Sequence, residues 1–221
     1  VSAYSISLMK KYHCMAAPNT AIPAVSDSFE IGSRFSNNKI QGEISAFYSI
    51  VNDEFTNSAV QPDGITPNLN TDAVYSGVEL AGSVNLFGEG FGYSGLFLDL
   101  NYIYSNYFFT NGSDNGVDLD GNRIPGLPEH ALNVRLKYQH EDGHELALTM
   151  ETASGLFFNF ENTVSEDSPE SPSYAIFHLT GKYQINDQLN IYGGIRNLFD
   201  QDFINSVTVE GSEFPVFEGF I

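Results

Sequence analysis

The stretch "LNVRLKYQ", residues 132–139, alternates without a break. Leu132, Val134, Leu136 and Tyr138 fall on one side, and Asn133, Arg135, Lys137 and Gln139 on the other. Successive side chains of a β-strand point to opposite faces, so a period of two specifies a strand with one apolar and one polar face. The same period returns on both sides of this segment. Residues 39–52 set Ile40, Ile44, Ala46, Tyr48 and Ile50 against Gln41, Glu43, Ser45 and Ser49. Residues 74–86, 96–104, 144–152, 175–185 and 189–195 repeat it, and 28–36 carries a weaker version. Eight strands and no helix are therefore expected.

The connections between these strands also alternate. Short turns lie at "SNNK" (36–39), "FGEGFGYSG" (87–95), "QHEDGHE" (139–145) and "QINDQ" (184–188), and long polar loops at about 56–71, 108–128 and 161–172. A compact soluble domain seldom carries several long loops. Outer-membrane barrels do, with short turns on the periplasmic side and longer loops outside. Several strands reach the ~9–11 residues that a tilted membrane strand needs. Tyr48, Tyr102, Tyr104, Tyr138 and Tyr183 stand near strand ends, where interfacial aromatic girdles belong. The fold class expected is all-β, an antiparallel up-and-down transmembrane β-barrel of about eight strands. The competing arrangement is a two-sheet sandwich with its apolar face toward a core.

Composition agrees with an aromatic β protein. The 221 residues include 18 Phe, 12 Tyr and 20 Gly and no Trp. The net charge of -19 argues against a nucleic-acid partner, which needs a basic footprint. Cys14 is the only cysteine, which excludes an internal disulfide or a thiolate metal cluster. The first 20 residues lack the long apolar stretch of a secretory signal. No nucleophile elbow, phosphate loop or His-Glu-x-x-His motif is present, so no enzyme is expected. His13, His130, His140, His144 and His178 are dispersed along the chain.

One segment has the spacing of a calcium loop. In "DLDGNRIPGLPE" (118–129), Asp118, Asp120, Asn122 and Glu129 hold the first, third, fifth and twelfth places. Arg123 stands where such loops need glycine, and Asx turns in a solvated loop explain the acids without a metal. The acidic loop 161–173, with Glu166, Asp167 and Glu170, is a candidate for gathering cationic ligands.

Four stretches resemble one family, the TonB-dependent outer-membrane receptors. "SDSFEIGSRFSNNKIQGEISAFYSIVNDEF" (26–55) resembles its strand–turn–strand, and "YSGVELAGSVNLF" (75–87) its Gly-Val-Glu-Leu strand. "GNRIPGLPEHALNVRLKY" (121–138) resembles its Pro-x-x-Pro-x-His lead into a strand, and "IYGGIRNLFDQDF" (191–203) its penultimate strand. The resemblance covers 26–205. It implies the C-terminal part of a larger barrel, with 1–25 unplaced and 206–221 a truncated or divergent tail. The plug and Ton box of such receptors are not matched.

The resemblance further implies location in a Gram-negative outer membrane, in contact with its lipid. It implies energised uptake of a scarce nutrient such as a ferric–siderophore complex, with TonB as partner through the plug region and no cofactor. Arg135, Lys137, Lys182, Arg196 and Arg123 are the candidates to meet an anionic ligand. Cross-strand pairing with Glu79, Asp99, Glu145 and Glu151 is the competing role for the lumen-facing ones. Two alternative readings stay open: a small passive or structural outer-membrane barrel, and a soluble glycan-binding β-sandwich.

Overall fold

A computed structural model describes residues 3–12, 24–57, 68–92, 94–114, 116–164 and 171–204. The strands are β1 (Ala3–Tyr12), β2 (Val25–Ser36), β3 (Ile40–Asn57), β4 (Asn68–Gly88) and β5 (Gly95–Asn111). After a small hairpin of β6 (Ser113–Asp114) and β7 (Val117–Asp118) come β8 (His130–Gln139), β9 (Glu145–Ala153), β10 (Tyr174–Asn186) and β11 (Leu189–Ile195). Nine of them form one antiparallel sheet in the order β1-β2-β3-β4-β5-β8-β9-β10-β11, an up-and-down meander. All eight strands expected from alternation are present. The ninth, β1, comes from the segment left unplaced and pairs with β2 from Ala3↔Arg34 to Tyr12↔Val25.

Register builds one continuous apolar face. Ile40, Val84, Leu98, Leu136, Leu148, Leu179 and Ile195 are successive cross-strand partners, a single row over seven strands. Directly opposed residues share a face, so the row is apolar from end to end. It is also exposed: Leu136 is 38%, Leu148 39% and Ile195 55% accessible. In water this would be an aggregation surface; in lipid it is the expected outer wall. Exposed Phe35, Phe87, Tyr138 and Tyr183 edge the band at the short-turn end. At the other end His130 stacks on Tyr102 at 6.1 Å and meets Tyr104 at a tilt, ring centroids 5.2 Å apart.

Two of the short turns close by the same device. Asn37 Oδ1 accepts from the backbone N–H groups of Lys39 (2.8 Å) and Ile40 (2.9 Å). Asn186 Oδ1 accepts from those of Gln188 (2.9 Å) and Leu189 (3.0 Å). A side chain that mimics a backbone turn pins the hairpin register, and register here decides which face meets lipid.

Strands reach into two of the expected long loops. β3 runs to Asn57 and β4 begins at Asn68, so both ends of the 56–71 region are strand, and 58–67 lies outside the described residues. β5 likewise continues to Asn111. The strand ends were hidden because above the apolar band both faces carry mixed side chains, and the period of two fades. Loop residues 165–170, with Glu166, Asp167 and Glu170, lie outside the described residues, as does the tail 206–221.

The "RNLFD" break after β11 is a turn built on Asn197. Its φ is 48°, in the left-handed region that Asn tolerates better than most residues. Its side chain accepts from Gln201 N–H at 3.0 Å and donates to Gln201 C=O at 2.9 Å. Leu198 N–H bonds Phe177 C=O at 2.7 Å, and Phe199 meets Phe177 edge-on at 5.4 Å. Asn197→Ala removes both side-chain bonds and disfavours the backbone. It is expected to destabilise this turn by about 1–2 kcal/mol, read as faster amide exchange at Leu198 and Gln201 with β8 and β9 unchanged.

Candidate functional site

The face opposite the lipid wall is polar and concave. Glu43, Ala81, Asn101, Asn133 and Glu151 form one of its cross-strand rows. With Glu79, Ile103, Ala131 and Tyr174 they line a trough of about 490 Å³. Two of its carboxylates are engaged at the edges. Glu43 pairs with Arg34, and Glu151 Oε1 lies 3.5 Å from His178 Nε2. His178 Nδ1 accepts from Asn197 N–H at 3.1 Å, so the neutral ring carries its proton on Nε2, aimed at Glu151. That contact ties the "RNLFD" turn to the inner wall.

Above the band, the extended strands carry a folded cap. Residues 116–126 and 154–164 pack together around Ala73, Phe109, Leu119 and Phe160, all buried, with Tyr75 and Ile124 against them. Phe109 and Phe160 meet edge-on at 5.9 Å. Polar bonds close the seam: Asn162 Nδ2 donates to Arg123 C=O at 2.9 Å while its Oδ1 accepts from Arg123 N–H at 2.5 Å. Asn122 Nδ2 donates to Phe160 C=O at 3.0 Å, and Gly126 N–H to Phe157 C=O at 2.9 Å.

Beside the cap, Tyr75 O–H lies 2.8 Å from each Glu54 oxygen. Burial raises the Glu54 carboxyl above the usual carboxylate range, against the opposing pull of that hydrogen bond. Tyr75 and Tyr107 pack at 5.1 Å, and Phe47 reaches Tyr107 at 6.2 Å.

The five cationic candidates divide. Arg123 is bound within the cap, with Nη2 2.6 Å from Glu129 Oε2. Arg135 and Lys137 stand two residues apart on the inner face of β8. Lys182 stands on the inner face of β10, opposite Glu145, and Arg196 follows β11, exposed. Cross-strand pairing does not engage them among the described residues. Arg135 lies opposite Asp99, yet Asp99 accepts a 2.5 Å bond from Ser83 Oγ, and Lys137 Nζ sits 5.1 Å over the Phe97 ring.

The calcium candidates are not gathered into one shell. Asp118 Oδ1 accepts from Asp120 N–H at 3.1 Å, Asn122 turns to Phe160, and Glu129 pairs with Arg123. No group of three His, Cys, Asp or Glu side chains among the described residues is placed to hold a metal ion. A loop bent by local Asx bonds uses its acids where a metal loop would turn them inward.

The cap core and Asn162 were not singled out from sequence. Phe109, Leu119 and Phe160 are isolated apolar residues in polar surroundings, and only their meeting in space gives them a role. Asn85, on the polar side of β4, is buried.

The TonB-dependent receptor-like β-barrel family matches residues 12–198. Among solved structures, the chain is similar to the copper transporter OprC, at 20% identity and a TM-score of 0.66, covering 84% of this chain and 26% of that one. The ferric yersiniabactin uptake receptor FyuA from Yersinia pestis aligns at 18% identity and 0.66, covering 96% and 31%. The ferric citrate transporter FecA in its unliganded form aligns at 21% and 0.66, covering 82% and 27%. The chain thus spans about a third or less of the structures it matches. On its strand order, its outward apolar band and the family match over most of its length, the chain belongs to the TonB-dependent receptor β-barrel family, a family of transport receptors and not of enzymes.

Proposed function

We propose that this chain forms part of the wall and the outer mouth of an outer-membrane receptor for TonB-dependent uptake of a scarce nutrient, such as a ferric–siderophore complex, in a Gram-negative bacterium. The observation that carries the reading is the continuous exposed apolar row, Ile40 to Ile195, in a chain of this family. Lipid covers that row, the short turns face the periplasm, and the cap stands outside, where ligand arrives. The polar trough faces the lumen. Coupling to TonB belongs to a plug region outside the matched segment. Arg135, Lys137, Lys182 and Arg196, without ion partners among the described residues, supply charge to an anionic cargo, while Arg123 serves the cap.

Deleting the gene and supplying single ferric complexes or haem as the iron source, or cobalamin as a separate nutrient, to nutrient-limited cultures tests the reading. Loss of radiolabelled uptake for one cargo, restored by the intact gene but not in a strain without TonB, is the result expected. Unchanged uptake of every cargo, or recovery of the protein from the soluble fraction, would overturn it.

A further inference from the structure

One imidazole joins β10 to the turn that follows β11. The β10–β11 ladder ends at Leu179↔Ile195, so His178 and Arg196 are next in register but lie beyond it. The His178 ring takes over there. Its Nδ1 accepts the Asn197 N–H at 3.1 Å, and its Nε2 lies 3.5 Å from Glu151 Oε1 on β9. A backbone N–H only donates, so the nitrogen that faces it must offer a lone pair. The tie therefore exists only while the ring is neutral.

The two contacts of the ring answer a proton in opposite ways. Protonation places a hydrogen on Nδ1, directly against the Asn197 N–H, and the bond is lost. The same charge strengthens the contact between Nε2–H and the Glu151 carboxylate. The His178 side chain is only 15% exposed, so the ring has little room to swing aside. Arg196, Phe199, Asp200 and Gln201 are exposed, so the turn is the part free to move.

Other charged and titratable groups lie on every side of the ring. On the inner face of β10 itself stand Tyr174 and Lys182, each four residues away. On β8, Arg135 shares the cross-strand row of His178 through Thr149. Arg196 and Asp200 belong to the connection after β11. Among the described residues only Glu151 brings a charge within ion-pair distance of the ring.

We propose that His178 is an acid-operated latch, which holds the "RNLFD" turn against the inner wall when neutral and releases Asn197 when protonated, keeping Glu151 as its partner. The bond is present above the titration of the ring and lost as pH falls through it. Release stays local. The bond from Leu198 N–H to Phe177 C=O and the edge contact of Phe199 with Phe177 do not involve the imidazole. The latch rests on this geometry alone; that it answers to acidity outside the cell rests on the orientation proposed above.

The 221-residue chain, ¹⁵N-labelled and folded in detergent micelles, is taken from about pH 8 to pH 5, the span over which imidazole changes charge. The His178 ring signals and the backbone amides are followed together, with exchange expressed as protection so that its intrinsic pH dependence drops out. Asn197 is expected to lose protection about fivefold, the worth of one hydrogen bond, along the same curve as the ring. Amides of β8 and β9 should hold throughout.

His178→Gln keeps an acceptor that does not titrate, so its Asn197 protection should be flat across the range. The same variant identifies the His178 signals among those of the five histidines. His178→Arg, charged throughout and without an acceptor, should show the low-pH value at every pH. Unchanged β8 and β9 amides certify that each variant is folded. A ring that stays neutral to pH 5, an Asn197 amide that keeps its protection while the ring titrates, or equal loosening in His178→Gln overturns the proposal.

Discussion

Leu100→Arg and Val134→Arg are each expected to weaken folding into a bilayer by about 2–4 kcal/mol, the range for a cation at the midplane of a barrel's lipid face. Leu100 and Val134 are cross-strand partners in the row next to Leu98 and Leu136, midway between the His130 and Tyr138 ends of β8. Asn101→Arg and Asn133→Arg, one residue along on the same strands, are the controls. These two are also partners, but they face the trough beside Glu43 and Glu151, where a cation is hydrated and meets opposite charge. Their expected cost is below about 1 kcal/mol, the scale of a surface substitution.

Urea titrations of the chain refolded into phosphatidylcholine vesicles measure all four. The contrast between adjacent residues also separates the membrane sheet from a sandwich. In a sandwich the apolar face packs a core, and detergent or lipid would be unnecessary for a folded, monodisperse protein. Equal losses at Val134 and Asn133 would refute the assignment of faces.

The strand core of this fold was legible because a single physical constraint acts on every strand: lipid on one side and a wet lumen on the other. That constraint writes the period of two directly into residues such as Leu132 to Gln139. Where it lapses, legibility lapses too. β1 begins with the alternation Tyr4, Ile6, Leu8, but Met9, Lys10 and Lys11 interrupt it, and its pairing with β2 is seen only in the register. The upper ends of β3, β4 and β5 lie above the band and lose the pattern, so polar sequence there looked like loop.

The candidate site was legible in part. Arg135, Lys137, Lys182 and Arg196 were placed on the polar side by counting residues, and the structure leaves them without ion partners among the described residues. Which acids would engage them was not readable, because Ser83 and Asp99 sit 16 residues apart in sequence. The "RNLFD" motif was recognisable without being explicable. Its cause is the left-handed turn at Asn197 and the bond back to His178, neither of which has a periodic signature.

Phe109→Ala is expected to cost about 3–5 kcal/mol, the range for deleting a fully buried aromatic side chain, and to unfold the cap while leaving the lipid wall intact. Phe109 is 1% exposed and packs with Phe160, Leu119 and Ala73. That cluster is small, so no second core compensates for its loss. Its backbone also organises the loop: Phe109 N–H bonds Asn122 C=O at 2.9 Å, and Gly121 N–H bonds Phe109 C=O at 2.9 Å.

Phe160 comes from a different connection, so the damage should cross from one to the other. Amide protection at Gly121, Asn122 and Ile124 should fall together with that at Gly126 and Asn162, although Asn162 is far from position 109 in sequence. Protection in β8 and β9 should hold, because their ladder rests on the lipid-facing rows and not on the cap. Asn162→Ala, which removes the polar seam to Arg123 and a bond to Asn159 C=O and disfavours a left-handed backbone, should reproduce the pattern at about 1–2 kcal/mol. Loss confined to residues 108–124 in Phe109→Ala would show two independent loops and refute the shared cap.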